Sequence, residues 1–286
     1  MRSVVKARAW LHIGLLFGVA SVASAQIPVP VPLSVSGNVA RGLIELPGGI
    51  GAELTISFED VVGLTPTALE AVATLVDPLD LGLVSRLPGG GIFPLVTIPA
   101  AFPVLVEIDP SPSSALSFAG VASVSLYTHN LHLDCLVPYA LHRAHAGGPF
   151  QDIMVSEGRG SYRAGGSTGD FSEFLIVVDQ RPIDTVIVGK FDALQSLLNQ
   201  HAGAISPAVA AVLQQYLTDA RTRYQAGDTL GAIGQMTAFS QYVVAHSGTD
   251  IPDVWRAHDA SVVNIAGLLR AGADTLKFSL DRKASR

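Results

Sequence analysis

One cysteine, Cys135, stands in 286 residues, so the chain cannot close a disulfide within itself. Its stability must come from packed apolar cores, and a chain of this length can bury one or two. Alternation puts Cys135 beside Leu131 and Leu133, where it reads as a small buried hydrophobe. A nucleophilic thiol would need a basic neighbourhood, and the adjacent Asp134 opposes one. Tryptophan is nearly as scarce, with Trp10 and Trp255 alone. Basic residues are in deficit, 18 Lys and Arg against 24 Asp and Glu, for a net charge of −6. With no basic run in the chain, binding to nucleic acid or to anionic lipid is excluded as a function class. No run of about 20 apolar residues is present, so no helix is expected to span a membrane.

The N-terminus has a pattern of its own. Arg2, Lys6 and Arg8 precede an apolar stretch from Leu11 to Ala23, and Ala23-Ser24-Ala25 supplies small residues at a cleavage position. The stretch is about 13 residues long, too short to span a membrane. It predicts a secretory signal peptide over residues 1–25, cut after Ala25, and a secreted or periplasmic destination. Gln26 follows the cut where a lipoprotein would carry Cys, and no apolar tail closes the chain, so a soluble product without a membrane anchor is expected. Cleavage removes three basic residues and no acidic one, leaving 15 basic against 24 acidic.

Beyond residue 25 the chain changes character once. Of its 17 prolines, 14 lie between Pro28 and Pro149, and the last three, Pro182, Pro207 and Pro252, stand where helices are expected to start. Residues 26–180 read as short strands divided by Gly and Pro turns. In Ala52–Phe58, Leu54, Ile56 and Phe58 alternate with Thr55 and Ser57. Eight or so such strands predict an antiparallel, immunoglobulin-like β-sandwich, with a closed barrel as the rival. Residues 181–286 carry three-four spacing instead. The expected stripes are Ile187, Phe191, Leu194 and Leu198; Val209, Leu213, Tyr216 and Ala220; Leu230, Ile233, Met236, Phe239 and Val243; and Trp255, Val262, Ile265, Leu269 and Leu276. Four amphipathic helices predict a C-terminal antiparallel four-helix bundle, for an α+β chain of two domains. Ser206 and Asp228 are expected to cap the second and third helices, and Asp250 and Asp253 to open the fourth.

Histidines offer the leading chemical pattern. His129, His132, His142 and His145 come in two pairs spaced by three, with Asp134 between them. If the chain turns near Pro138, a subset could hold zinc or copper. Strand geometry opposes a full set, because residues three apart point to opposite faces. Solvated strand histidines are the plainer reading. Ser161, in Gly160-Ser-Tyr-Arg163, does not sit in a nucleophile elbow, and no phosphate loop or EF-hand pattern occurs. Sugar sites usually stack an aromatic ring on the sugar, and the sandwich offers Tyr127, Tyr139 and Tyr162 for this.

Tyr224-Gln-Ala-Gly-Asp228, Ala232-Ile233, Ala238-Phe239 and Val243–Gly248 resemble the FIMAH-type helical module of bacterial exported proteins, over roughly residues 185–280. The whole chain is similar to an uncharacterised family of bacterial exported proteins. The residues that carry this likeness are Phe102–Ile108, Leu126–His129, Gly160–Arg163, Phe171–Ile176 and Asn264–Leu268. That resemblance brings no activity and no catalytic residues. The expectation is a non-catalytic structural or binding protein, with no cofactor, whose partner is a protein or a surface glycan. A metalloprotein and a carbohydrate-binding module are the alternatives.

Overall fold

The computed structural model describes residues 28–89, 94–133, 137–158 and 160–285. The expected signal peptide, Asp134 and Cys135 lie outside the described residues. The strands in chain order are β1 (Pro28–Pro30), β2 (Leu33–Ser36), β3 (Val39–Leu46), β4 (Ile50–Val62), β5 (Leu69–Leu75), β6 (Val96–Thr97) and β7 (Val104–Pro110). They continue as β8 (Ser117–His132), β9 (Tyr139–Ala144), β10 (Gln151–Asp152), β11 (Met154–Gly158), β12 (Ser161–Thr168), β13 (Glu173–Asp179) and β14 (Val254–Arg256). The helices are the short α1 (Leu81–Val84), then α2 (Ile183–His201), α3 (Pro207–Gln225), α4 (Thr229–His246) and α5 (Ile265–Ala284).

Alternation makes β4 as expected, with Leu54 and Ile56 buried and Glu53 exposed. Gly48 and Gly49, at φ +81° and +73°, turn β3 into it. The strands form two antiparallel sheets of seven. One runs β2-β3-β4-β8-β12-β11, with β14 also paired to β8; the other runs β1-β5-β7-β13-β9-β10, with β6 paired to β13. Their apolar side chains, among them Leu54, Val124 and Leu126 from one sheet and Val106, Phe174 and Ile176 from the other, form one buried cluster.

This corrects the immunoglobulin-like expectation, because that fold has seven to nine strands in all and here each sheet alone has seven. The extra strands come from short segments that alternation could not reveal. One is made by a crossing: the chain leaves the second sheet after β10 and enters the first at β11. Ile153 stands at the crossing, its N–H donating to the Leu141 carbonyl at 3.0 Å while its carbonyl accepts from the Ser167 N–H at 3.2 Å. One residue thus joins both sheets.

The second correction concerns the helices, which form no separate four-helix bundle. Helix α5 packs on α2 and α4 on one side and on β8, β11 and β12 on the other. Leu269, Ala273, Leu276 and Leu280 enter the helical core, while Phe278 packs against the sandwich core. The expected fourth helix does not open at Pro252. Trp255 instead lies on β14, opposite Phe118, with its ring 5.4 Å from Phe118 and 5.7 Å from Phe171. A strand edge and an aromatic pocket in the first half outcompete helical spacing there. Asp250 accordingly pairs with His246 at 2.7 Å and does not start a helix. The first three helices bury most of their expected stripes, although Leu230 is exposed. Asp228 caps α4 through the Gly231 N–H at 2.8 Å, whereas Ser206 makes no side-chain cap.

α5 begins where β8 bulges. Gly120, at φ +71°, is the extra residue opposite β4, and Glu59 receives the Val121 N–H at 3.2 Å. The buried Asn264 caps α5 by accepting from the Gly267 N–H at 2.8 Å, and its Nδ2 donates to the Gly120 carbonyl at 2.7 Å. A Cβ on Gly267 would lie 2.2 Å from that same carbonyl, so the helix meets the sheet backbone to backbone. Arg270 adds a two-armed contact to Glu59, at 2.6 and 2.8 Å. Asn264→Ala is expected to cost about 2 kcal/mol in urea unfolding, since a cap and a long-range hydrogen bond go together. Gly234→Ala, at an exposed site in α4 where a Cβ meets nothing within 4 Å, is expected to add about 0.8 kcal/mol in the same measurement.

Candidate functional site

Where β12 ends and the chain crosses between sheets, a cleft of about 500 Å³ opens between the strands, α2 and α5. Its size is that of a small-molecule site. Phe150, Ile153, Leu194, Leu197 and Leu268 supply apolar wall. Gly189 on α2 and Gly272 on α5 keep helix backbone close to the space.

Lys190 stands among these residues and is 8% exposed. It falls on the apolar stripe of α2, three residues after Ile187 and next to Phe191. Its Nζ lies 2.9 Å from the Asp152 carboxylate on β10 and donates to the Thr275 carbonyl on α5 at 3.0 Å. Burial lowers the lysine pKa, and the Asp152 charge opposes that shift. One ammonium therefore links the second sheet to two helices. Such a buried pair contributes little net stability over an apolar replacement, but losing one partner costs about 3–5 kcal/mol.

Two other polar side chains in the wall are incompletely matched. Arg143 on β9 is ion-paired with Asp170, yet its Nε has no hydrogen-bond partner. Ser167 on β12 is 4% exposed, and its Oγ has none either. Each unmatched buried group costs about 1–3 kcal/mol. Arg181 also lines the cleft and holds Asp179 with both arms, at 2.9 and 2.6 Å. The wall therefore presents Arg143, Arg181 and Lys190 with the single carboxylate of Asp152, while Asp170 and Asp179 do not line it. A smaller cleft of about 290 Å³ adjoins it and shares Asp152, Arg181 and Val186.

Of the expected metal ligands, His129 and His132 lie on β8 in the first sheet, and His142 lies on β9 in the second. The two histidine pairs therefore do not face each other across neighbouring strands. His129 Nδ1 is 2.8 Å from Ser161 Oγ. His132 is exposed at the end of its strand. His142 is fully buried, with Nε2 at an ion-pair separation of 3.5 Å from Asp179 and no hydrogen bond at either ring nitrogen. His145 follows β9 and stands 3.3 Å from Asp170. Among the described residues no three His, Cys, Asp or Glu side chains come together to hold a metal ion, and Asp134 lies outside those residues. Lys190 could have been noticed as a charge on an apolar stripe. Arg143, Asp152 and Ser167 carry no signal in the sequence, because only the strand crossing brings them together.

Two antiparallel seven-stranded sheets, backed by helices and opened by a mixed polar and apolar cleft, define an α+β protein with a candidate ligand site. The chain belongs to a family of unknown function, DUF6689, which it matches over residues 13–284. No curated protein matches it.

Asp179 makes the electrostatics testable. Burial raises its carboxyl pKa, but the Arg181 guanidinium and the His142 ring outweigh burial and hold it below the usual carboxylate range. A carboxyl with a depressed folded pKa stabilises fully above its unfolded value of 3.8, and that stability is lost as the pH falls. Wild-type stability is thus expected to drop below about pH 5, and Asp179→Asn to flatten that slope, as read from urea midpoints measured across the acid range.

Proposed function

We propose that the protein is exported and non-catalytic, and that it binds a small organic ligand in the cleft between the sandwich and the helices. The carrying observation is the cleft itself, about 500 Å³, with an apolar wall beside the Lys190–Asp152 pair. A roomy, largely apolar cleft with a few polar groups in its wall is the usual form of a small-molecule site. The basic, apolar and small-residue order of residues 1–25 supports export with cleavage after Ala25. The likeness of residues 185–280 to the FIMAH-type module supports the same setting.

The cleft is favoured over a glycan platform on the sheet surface. Of the three tyrosines of the sandwich, Tyr162 is fully buried and Tyr139 packs on its ring at 4.9 Å, which leaves Tyr127 for such a platform. The Arg163 guanidinium lies 4.6 Å over its ring, and His129 approaches edge-on at 4.9 Å. That ring is already occupied as a stacking surface.

Gly189→Trp tests the reading. The site is exposed on the rim, a Cβ there meets nothing within 4 Å, and an indole would fill the opening. In a thermal-shift survey of small organic acids, alcohols, amines and sugars, at least one class is expected to raise the melting temperature of the wild type and not of Gly189→Trp. A ligand at about a hundred times its Kd adds about 2.7 kcal/mol, a shift of several degrees. Identical responses from the two proteins, or turnover of ester, glycoside or peptide substrates by the purified chain, would refute it. Export is checked separately by sequencing the N-terminus of the secreted or periplasmic product, which is expected to begin at Gln26.

A further inference from the structure

We propose that the ligand of this cleft is an uncharged aliphatic molecule, with its chain along the apolar wall and one polar end at the rim. This rests on the cleft being the ligand site. Charge is the first argument. Each cation of the wall is already neutralised: Lys190 by Asp152 at 2.9 Å, Arg181 by both oxygens of Asp179, and Arg143 by Asp170. The three cations and three carboxylates cancel, and none of these side chains is more than 18% exposed. A charged ligand would shed its water here and meet no free opposite charge among the described cleft residues. A neutral one avoids that cost. Arg143 Nε and Ser167 Oγ lack partners, but both are buried atoms and give a charged head nothing to grip.

The surface that the cleft does offer is the second argument. Ile153, Leu194, Leu197 and Leu268 are aliphatic. The aromatic ring of the wall, Phe150, is buried and has the Arg86 guanidinium 4.6 Å above it. A sugar or a flat ring therefore has no open face there to stack on, while an alkyl chain needs none. At the rim α2 presents Ser196 and Gln200, exposed and about one turn apart. Their uncharged groups can both donate to and accept from a hydroxyl.

Room is the third argument. Gly189 lies inside α2, where glycine is unfavourable, and no neighbour comes within 4 Å of the place its Cβ would take. Close packing does not require glycine there, and its effect is to keep the mouth of the cleft open. Ala193 follows about one turn later on the same wall and is also exposed.

Isothermal titration calorimetry of the purified chain at neutral pH with octan-1-ol, hexan-1-ol, octanoate and octylamine tests this. Octan-1-ol is expected to bind once per chain, and octanoate and octylamine each about tenfold more weakly, since their charges must be stripped of water. Hexan-1-ol should bind about fifteenfold more weakly than octan-1-ol, at about fourfold per methylene. Gly189→Trp should abolish binding of octan-1-ol, and should that variant fail to fold, Ala193→Trp on the same wall decides. Octanoate or octylamine binding as tightly as octan-1-ol, or octan-1-ol binding unchanged in the tryptophan variants, would overturn the assignment. If other compounds bind in a Gly189-dependent way and octan-1-ol does not, the uncharged aliphatic class is wrong and the cleft stands. If no compound does, both fall.

Discussion

The backbone of α5 lies against the backbone of β8 at Gly120, and most of the junction follows from that approach. No side chain fits between them: a Cβ on Gly267 would strike the Gly120 carbonyl, and one on Gly120 would lie 2.2 Å from Glu59. The bulge turns a carbonyl out of the sheet ladder, and Asn264 uses it while capping the helix. With its first turn fixed there, α5 must run along β8, β12 and β11, presenting Thr275 to Lys190 and Phe278 to the sandwich core. The cleft is the space left where α2, packed on α5, spans the end of the sandwich.

Polar groups at that junction are arranged unevenly. Asn264 and Glu59 are matched, and Lys190 has a carboxylate and a carbonyl. Ser167 Oγ and Arg143 Nε in the cleft wall are not, and neither is Arg270 Nε beside Glu59. Most buried polar atoms in folded proteins find partners, so each of these exceptions marks a local cost in the packing.

Much of this architecture could be read from the chain, and the reasons for the rest are physical. Alternation showed β4 because one of its faces is buried and the other is not. Helical spacing showed α2 because Ile187, Phe191, Leu194 and Leu198 all enter one core. β10 has two residues and β6 has two, too few to show any period. Val254-Trp255-Arg256 satisfies helical spacing as well as it satisfies a strand, and only the open edge of β8 and the rings of Phe118 and Phe171 decide between them. For the histidines, spacing along the chain cannot reveal sheet membership. His132 and His142 are ten positions apart and belong to opposite sheets. The cleft residues were hidden for the same reason, since Arg143, Asp152 and Ser167 meet only through the crossing at Ile153.

β14 comes from the helical half of the chain, but its three residues complete the first sheet along Ser117–Ala119. A fragment ending near residue 180 would leave those positions of β8 as an unpaired edge, with Phe118 and Phe171 stripped of their indole cover. Bare strand edges beside exposed rings are templates on which other chains stack. The strand between α4 and α5 thus also covers a sheet edge, and a chain shortened to its sandwich is expected to self-associate more readily.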